Sequence, residues 1–382
     1  MVVALAIVGG CSAVPATTEP PAASATTSAA PPVTSGSTPA PAGSATGAGE
    51  VRRRLDLALN ASERYQTLIK SVIVTVDGAQ IYQHYAADSG PDVTHNVYSV
   101  TKSVMSMLIG IAIDEGFIAG VDLTLAELLP THVPMMAPGV GAITLRQILT
   151  MTGGVHADET FVKYTRDANW TELTLSTPLT QPPGTGWIYS NPGSHLLSAI
   201  LVQATGRGVL DYAREKLFTP LGISTEPAAQ PVLGSGWAIS PEDLPAYGAV
   251  RGFGWSTDPQ GLNLGPSDLK ISAADMTKLG QLYLDGGRWA GQQLVPQAWV
   301  GESTSALVPT DYPLFDYGYQ WRAFDAGGHP AFAAFGLAGQ LIEVVPDLHL
   351  VVAISSLDDP ARFDTGELVQ LVQTYIIPVL TR

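Results

Sequence analysis

The chain has 382 residues, of which 46% are hydrophobic and only 14% charged, so it is long and apolar enough to bury a large core. Its formal net charge of −15, from 19 basic and 34 acidic residues, disfavours nucleic acid as a partner. A single cysteine excludes an intrachain disulfide, and the seven histidines form no ligand cluster in the sequence. These features disfavour a zinc site and a histidine-based catalytic triad.

The N-terminal region predicts export. An apolar run leads to Gly9-Gly10-Cys11-Ser12, so residues 1–11 resemble a bacterial lipoprotein signal that ends at Cys11, although no Lys or Arg precedes the run. Residues 12–49 are almost entirely Ala, Pro, Ser, Thr and Gly, a composition typical of a disordered tether. We expect residues 50–382 to form one folded unit outside the cell, held at the outer face of the membrane by lipid on Cys11. Plain secretion is the alternative.

Strand signals lie at both ends of the folded unit. Residues 72–76 and 80–86 flank Asp77-Gly78, which predicts a β-hairpin. Late in the chain we predict three strands at 317–324, 339–345 and 348–355, and a closing helix at 366–379. The region from about 103 to 240 is mostly helical in pattern. The prediction is an α+β fold, with one antiparallel sheet built from both chain ends, helices on its faces and a helical region inserted between.

Ser99 and Lys102 form a Ser-x-x-Lys pair at the start of a long apolar helix that ends near Gly116. Residues three apart share a helix face, so the hydroxyl and the amine should lie together. Burial lowers the pKa of an amine, which would let it serve as a base or proton relay beside the serine. The alternative is an ordinary N-cap serine, with the lysine reaching to solvent.

A second Ser-x-x-Lys, at Ser267 and Lys270, has a different context. The helix start signal comes later, at Ser272 with Asp275 three residues on, so Lys270 precedes the helix. We expect Ser267 and Lys270 to be loop or strand-end residues.

Tyr189-Ser190-Asn191 is the only Tyr-x-Asn of the chain and lies in a turn-rich stretch before a helical run at 196–204. Polar side chains on such a loop can face a cleft. His195 follows closely, but a lone helical histidine is more often a satisfied core or surface group. Three tryptophans could line an apolar pocket or belong to the core, namely Trp170, Trp187 and Trp255.

In this order and spacing, Ser99, Lys102 and Tyr189-Ser190-Asn191 resemble the motifs of the serine β-lactamase and penicillin-binding-protein superfamily, in particular its class C-like serine hydrolase branch. Further segments at 143–154, 279–289 and 335–346 are similar to family segments, so the resemblance covers most of residues 65–380. It implies a β-lactamase/transpeptidase-like fold.

The third family motif, Lys-Thr-Gly or His-x-Gly, falls on Ala334-Phe335-Gly336, which contains no cation. The resemblance implies that the basic residue of this motif normally contacts a substrate carboxylate, a charge-assisted contact that alanine cannot make. Its absence favours an esterase or amide hydrolase over a β-lactamase or D,D-carboxypeptidase. Were a carboxylate recognised, Arg251 and Arg322 would be the first residues to examine. The oxyanion-hole candidates are the amides of Ser99 and of Leu337, which follows Gly336. Trp187, Phe335 and Ala334 are candidates for the substrate pocket.

The resemblance implies a serine hydrolase that forms an acyl-enzyme on a small-molecule ester or amide. Ser99 would attack the carbonyl, Lys102 and Tyr189 would share the proton transfers, and Asn191 would orient Lys102 or the substrate. No metal or organic cofactor is implied. A β-lactamase or D,D-carboxypeptidase is one alternative, and a non-catalytic envelope-binding lipoprotein on the same fold is another. Which of Lys102 and Tyr189 is the base stays open, because the two would titrate as a coupled pair, and the sequence predicts no oligomeric state.

Overall fold

A seven-stranded antiparallel sheet organises the protein, and a computed structural model describes residues 42–156, 169–233, 252–357 and 363–381. The strands are β1 (Ile69–Val76), β2 (Ala79–Tyr85), β3 (Thr94–Asn96), β4 (Gly254–Trp255), β5 (Leu269–Ser272), β6 (Arg288–Trp289), β7 (Gln292–Gln293), β8 (Asp316–Tyr317), β9 (Arg322–Asp325), β10 (Pro330–Gly336), β11 (Gln340–Val345) and β12 (Leu350–Ser356). The order in the large sheet is β2-β1-β12-β11-β10-β9-β8. Both chain ends therefore build one sheet, which confirms the predicted α+β class.

Helices cover both faces of this sheet and fill the middle of the chain. The α-helices of the described residues are α1 (Ala42–Ala61), α2 (Glu63–Leu68), α3 (Val100–Asp114), α4 (Leu125–Leu128), α5 (Leu145–Leu149), α6 (Trp170–Ser176), α7 (Asn191–Thr205), α8 (Val209–Ala213), α9 (Ala273–Leu284), α10 (Gln297–Ser303), α11 (Thr365–Tyr375) and α12 (Ile377–Leu380). Short 3₁₀ turns lie at Pro130–Met135, Val140–Ala142 and Pro346–Leu348, and a π turn at Arg214–Phe218. Small sheets join β3, β5 and β4, and β6 with β7.

The hairpin predicted at Asp77-Gly78 is confirmed. β1 and β2 pair from Val76 and Ala79 outward. Asp77 and Gly78 have φ values of 51° and 72°, the left-handed conformations that a two-residue turn between twisted strands requires.

The sheet separates two hydrophobic cores. One core holds α3, α7 and α9 against one face, with Val104, Leu108 and Leu279 fully buried. The other holds α1 and α11 against the opposite face, with Leu55 and Val369 fully buried. The strands between them are apolar on both faces, as expected for a sheet covered by helices on both sides.

Helix α3 lies inside the first core, as its apolar sequence predicts. Gly110 is needed there for packing, because an added Cβ would lie 2.5 Å from the Trp299 ring. The helix ends at Asp114 with Glu115 as its C-cap residue, and Gly116 follows with φ 77°, the left-handed conformation typical of the residue after a helix. The buried helix carries Ser99 and Lys102 to the centre of the molecule.

Several boundaries differ from those predicted. Helix α1 begins at Ala42, inside the segment interpreted as tether, directly after Pro41, a residue compatible with a helix start. The predicted strand 317–324 is two strands, because Gln320 adopts φ 61° and bonds to the Leu149 carbonyl of α5. The closing helix divides between α11 and α12, where Pro378 lacks the amide that would continue the hydrogen-bond ladder.

Two further elements differ from the prediction. Helix α7 begins at Asn191 rather than at 196, and β10 is a strand that the sequence patterns did not single out. Cys11 and Arg251 lie outside the described residues, so lipid attachment at Cys11 stays a prediction. Within the described ranges, no helix is long and apolar enough to cross a bilayer.

Glu343 is a buried carboxyl in the middle of the sheet. It lies on β11 between Ala333 and Val352, both members of the second core, and is fully buried. Neither carboxyl oxygen has a hydrogen-bond partner among the residues that the structure describes. Burial therefore raises the pKa of Glu343 well above its ordinary value of 4.5, so folding favours the protonated form.

We expect Glu343→Leu to stabilise the protein by a margin that grows as the pH rises above 4.5. Above that pH the unfolded chain releases the Glu343 proton while the folded chain keeps it, which lowers the free energy of unfolding by about 1.4 kcal/mol per pH unit over that interval. Urea denaturation at several pH values between about 5 and 9 measures the effect. Glu343→Gln is the control, since glutamine cannot ionise but leaves a buried amide unpaired. This variant should also lose the pH dependence of the free energy of unfolding, but it should be less stable than Glu343→Leu. An unchanged pH slope in the leucine variant would contradict the prediction.

Candidate active site

Ser99 sits at the end of a strained turn that leads into α3. Tyr98, directly before it, has φ 46°, a left-handed conformation that is uncommon for a non-glycine residue. Ser99 is the N-cap residue of α3, but its side chain makes no capping hydrogen bond. Its hydroxyl instead contacts Lys102 Nζ and the Tyr189 hydroxyl.

Lys102 is held in the interior by three acceptors. Its side chain is 1% exposed. The Nζ atom donates to Ser99 Oγ at 3.0 Å, to Asn191 Oδ1 at 2.6 Å and to the Pro266 carbonyl at 2.8 Å. These partners are oxygen acceptors, and an ammonium is a donor only, so the arrangement favours the charged form of Lys102. Ser99 is thus an N-cap residue without a side-chain cap, and the solvent-exposed lysine of the alternative is wrong.

Tyr189 completes the group around Ser99. The hydroxyls of Tyr189 and Ser99 share a hydrogen bond of 2.7 Å, and Lys102 Nζ lies 4.7 Å from the centre of the Tyr189 ring. Burial alone would raise the pKa of Tyr189. The positive charges of Lys102 and Arg322, with hydrogen bonds from Lys102 and Ser99, outweigh burial and lower it below 10. The phenolate is therefore more accessible than in an ordinary tyrosine.

The start of α7 positions both Tyr189 and Asn191. Ser190 caps the helix by accepting a hydrogen bond from the Gly193 amide at 3.0 Å, and Pro192 follows in the first turn. This cap fixes the backbone on either side of Ser190, so Asn191 Oδ1 meets Lys102 while Tyr189 meets Ser99. The structure thus brings together all four residues proposed for catalysis.

The third motif lies at the end of β10, against the turn before Ser99. A Cβ on Gly336 would lie 2.2 Å from the Val97 carbonyl oxygen, so only glycine permits this approach. Leu337 follows with a side chain that is 48% exposed. Its amide therefore lies next to the strand end that contacts the nucleophile turn, as an oxyanion-hole role would require.

Two predicted pocket residues are buried. Ala334 is fully buried in the first core and pairs with Ile342, and its assignment to the substrate pocket stays a prediction. Residues 334 and 336 of the strand share the face that packs toward α3. Phe335 is 4% exposed on the opposite face. Its ring centre lies 5.0 Å from the Arg322 guanidinium, so it contacts the site through that side chain.

Arg322 adds a positive charge beside Tyr189 that the motifs do not predict. Its guanidinium lies 5.8 Å from the centre of the Tyr189 ring and 5.0 Å from that of Phe315. Nη1 donates to the Phe335 carbonyl at 3.4 Å, and Nε has no hydrogen-bond partner in the part of the chain that the structure describes. Only the register of β9 beside β10 brings this arginine to the site.

An aromatic cluster flanks Tyr189. The Trp187 ring lies 6.0 Å from Tyr189, 6.0 Å from Tyr312 and 5.6 Å from Tyr317, measured between ring centres. Trp187 is partly buried and Tyr312 is 57% exposed, so the cluster reaches the surface. Trp170 and Trp255, in contrast, are core residues. Of the three tryptophans, Trp187 is the one that lies beside Tyr189.

The remaining polar candidates have structural roles. Ser267 bonds to Asp268, and Lys270 lies on β5 before the helix that Ser272 caps, as predicted. His195 Nε2 lies 3.1 Å from Asp258 Oδ2, with both residues buried, so His195 is a satisfied core group. Across the described ranges, no cluster of His, Cys, Asp and Glu could hold a metal ion.

Comparisons with known proteins place the chain among serine hydrolases. A family model described as Beta-lactamase matches residues 57–373. The chain is 25% identical over 327 residues to the 6-aminohexanoate-dimer hydrolase of Paenarthrobacter ureafaciens, covering 78% of this chain and 75% of that protein. It is 26% identical over 281 residues to penicillin-binding protein 4 of Amycolatopsis lactamdurans, covering 67% and 70%.

A solved structure supports the same fold. EstCE1, described as a hydrolase with promiscuous acyltransferase activity, matches with a TM-score of 0.64 at 18% identity, over 87% of this chain and 98% of that one. The family match spans most of the sequence and includes Ser99, Lys102 and Tyr189. The chain therefore belongs to the Beta-lactamase family, as its motifs predict.

Proposed function

We propose that this protein is a serine hydrolase that cleaves esters or amides through an acyl-enzyme on Ser99. The observation that carries the proposal is the pair of contacts at Ser99 Oγ, 2.7 Å from the Tyr189 hydroxyl and 3.0 Å from Lys102 Nζ. Covalent catalysis characteristically uses a nucleophile within hydrogen-bond reach of a base, and a third group that orients the base.

The contacts favour Tyr189 as the base. Lys102 already donates to three acceptors, which suits an ammonium that stabilises the Tyr189 phenolate. Ser99 Oγ would attack the substrate carbonyl carbon while its proton passes to the phenolate. The amides of Ser99 and Leu337 would bind the oxygen that becomes negative. Tyr189 would then return the proton to the departing alcohol or amine, and water would release the acyl group by the reverse sequence.

The surroundings of Tyr189 favour an apolar substrate. The aromatic cluster offers Trp187 and the exposed Tyr312 as a wall for an acyl or leaving group. The relative from Paenarthrobacter is named for hydrolysis of a 6-aminohexanoate dimer, which is consistent with linear amides as well as esters. The lipoprotein-like start at Cys11 would place this activity at the outer face of the membrane. A non-catalytic envelope-binding role is disfavoured, because a binding protein has no need of Ser99 and Tyr189 in bonding geometry.

Ser99→Ala should abolish ester hydrolysis while leaving the fold intact. We expect a loss of at least about 1,000-fold in kcat for p-nitrophenyl butyrate, since no other group can form the acyl-enzyme. Ser267→Ala, which alters the other Ser-x-x-Lys, is the comparison variant and should cost no more than about tenfold in kcat, because Ser267 acts only through Asp268. Labelling by a fluorophosphonate, with mapping of the modified residue, gives a second readout. Equal losses in both variants, or labelling elsewhere, would reject Ser99 as the nucleophile.

Lys102→Ala and Tyr189→Phe should each cost nearly as much activity as Ser99→Ala, because the three side chains transfer one proton together. The double variant should be no more than about tenfold worse than either single variant, as for residues that act as one unit. Steady-state kinetics with p-nitrophenyl butyrate test this. Small losses that multiply in the double variant would show that another base is at work.

Arg322 favours a second candidate function, a β-lactamase or D,D-carboxypeptidase. The third motif lacks its cation at Ala334, but Arg322 on the adjacent strand carries a positive charge to within 5.8 Å of the Tyr189 ring centre. Its Nε, unpartnered within the described ranges, is a donor that a substrate carboxylate could accept.

Arg322→Gln with benzylpenicillin and its methyl ester decides between the two candidates. If Arg322 binds a carboxylate, the variant should slow acylation by benzylpenicillin roughly 10- to 150-fold more than acylation by the methyl ester. This ratio corresponds to the free energy of one charge-assisted hydrogen bond, which the methyl ester cannot form. If Arg322 only supports the Tyr189 phenolate, both reactions slow equally. We expect equal slowing, and p-nitrophenyl butyrate as a better substrate of the native protein than nitrocefin. Selective slowing, or faster nitrocefin turnover, would establish the second candidate.

A further inference from the structure

The turn that presents Ser99 needs external support. A non-glycine residue in the left-handed region costs on the order of 1–3 kcal/mol and persists only where its surroundings hold it. At Tyr98 the amide donates to Asn96 Oδ1 at 2.8 Å, and the carbonyl accepts from Thr101 Oγ1 at 2.6 Å. The conformation of Tyr98 therefore depends on where Asn96 and Thr101 are fixed.

Residues 266–269, which overlap the second Ser-x-x-Lys at 267–270, pack across this turn. They hold both ends of it in place. Asp268 Oδ1 accepts from Asn96 Nδ2 at 2.8 Å. The Leu269 amide donates to Thr101 Oγ1 at 3.2 Å, and its carbonyl accepts from the Val97 amide at 2.9 Å. Three residues before Leu269, the Pro266 carbonyl accepts from Lys102 Nζ at 2.8 Å. One short segment thus contacts the turn before Ser99 and the lysine beside it.

Asp268 is the side chain on which this arrangement depends. It is 7% exposed and has φ 67°, so its backbone is also in the left-handed region. Ser267 Oγ donates to its other carboxyl oxygen, which orients the carboxyl group toward Asn96. Burial raises the pKa of Asp268 against the hydrogen bonds from Ser267 and Asn96 and the nearby charge of Lys102.

We propose that Asp268 is a positioning residue for the nucleophile: its carboxyl group holds Asn96, Asn96 holds the Tyr98 turn, and the turn aims Ser99 Oγ at the substrate carbonyl. The proposal rests on the proposed function, because it assigns Asp268 to the reaction of Ser99. A displacement of about 1 Å at a reacting atom costs on the order of 100-fold in rate. The loss should appear in kcat, since Asp268 acts through Asn96 and the turn rather than on the substrate itself.

Asp268→Ala and Asp268→Asn separate positioning from stability. In Asp268→Ala we expect kcat for p-nitrophenyl butyrate to fall roughly 10- to 100-fold with KM within about twofold of the native value. Asp268→Asn keeps the Oδ1 acceptor for Asn96 and should restore kcat to within about threefold of native. Asp258→Asn is the matched control, because Asp258 is also a fully buried carboxyl but bonds to His195 and to the amides of Gln260 and Leu262 rather than to Asn96. It should lower the melting temperature and leave kcat within about threefold of native.

Asn96→Ala removes the same contact from the other side and serves if Asp268→Ala does not fold. It should reproduce the loss in kcat, and the double variant should be no slower than the slower single variant, because both break one link. Native kcat in folded Asp268→Ala, or in Asn96→Ala, would overturn the proposal. An Asp268→Asn variant as slow as Asp268→Ala would also overturn it. Absence of both ester turnover and fluorophosphonate labelling in the native protein would instead overturn the proposed function.

Discussion

The buried ammonium of Lys102 is the constraint on which the site depends. Its three acceptors come from three separate segments: Ser99 before α3, Asn191 at the start of α7, and Pro266 before β5. Leaving a buried donor unpaired costs about 1–3 kcal/mol, and more when the group is charged. The folded state therefore favours the arrangement in which all three segments meet at Lys102. The contacts that satisfy this charge are the ones that place Ser99 Oγ beside Tyr189.

Close backbone contacts around the nucleophile limit how these segments can move. The end of β10 reaches the Val97 carbonyl so closely that Gly336 has no room for a Cβ. On the other side of the turn, Leu269 bonds to Val97 through its carbonyl. Val97 is thus held between the large sheet and the small sheet, and the left-handed turn at Tyr98 follows directly. Because both supports are backbone contacts of strand ends, they transmit the rigidity of the sheets to Ser99.

The charges around Tyr189 decide how readily its phenol ionises. Burial opposes ionisation of the phenol, while Lys102 and Arg322 favour it from two directions, and the balance lowers the pKa of Tyr189. The third motif has alanine at position 334, so the second positive charge comes instead from the neighbouring strand β9. The same charge would attract a substrate carboxylate, which is why substrate selectivity and base strength must be measured separately at this site.

The sequence by itself determined the features that depend on neighbours along the chain. The three-residue spacing of Ser99 and Lys102 places them on one helix face, and the Asp77-Gly78 turn sets the first hairpin; the sheet built from both ends followed from such local patterns and from the family resemblance. Only the tertiary structure showed that Pro266 and Arg322 belong to the site. Pro266 contributes a backbone carbonyl, which every residue type has, so no sequence motif identifies it. Arg322 reaches Tyr189 through the position of β9 in the sheet, which depends on strand order. In the tertiary structure, the predicted strand 317–324 is interrupted at Gln320. The hydrogen bonds of Gln320 to α5 outweigh the preference of the local sequence for a continuous strand. Local periodicity depends only on nearby residues, so it cannot predict contacts between segments more than a hundred residues apart. Those contacts complete the site.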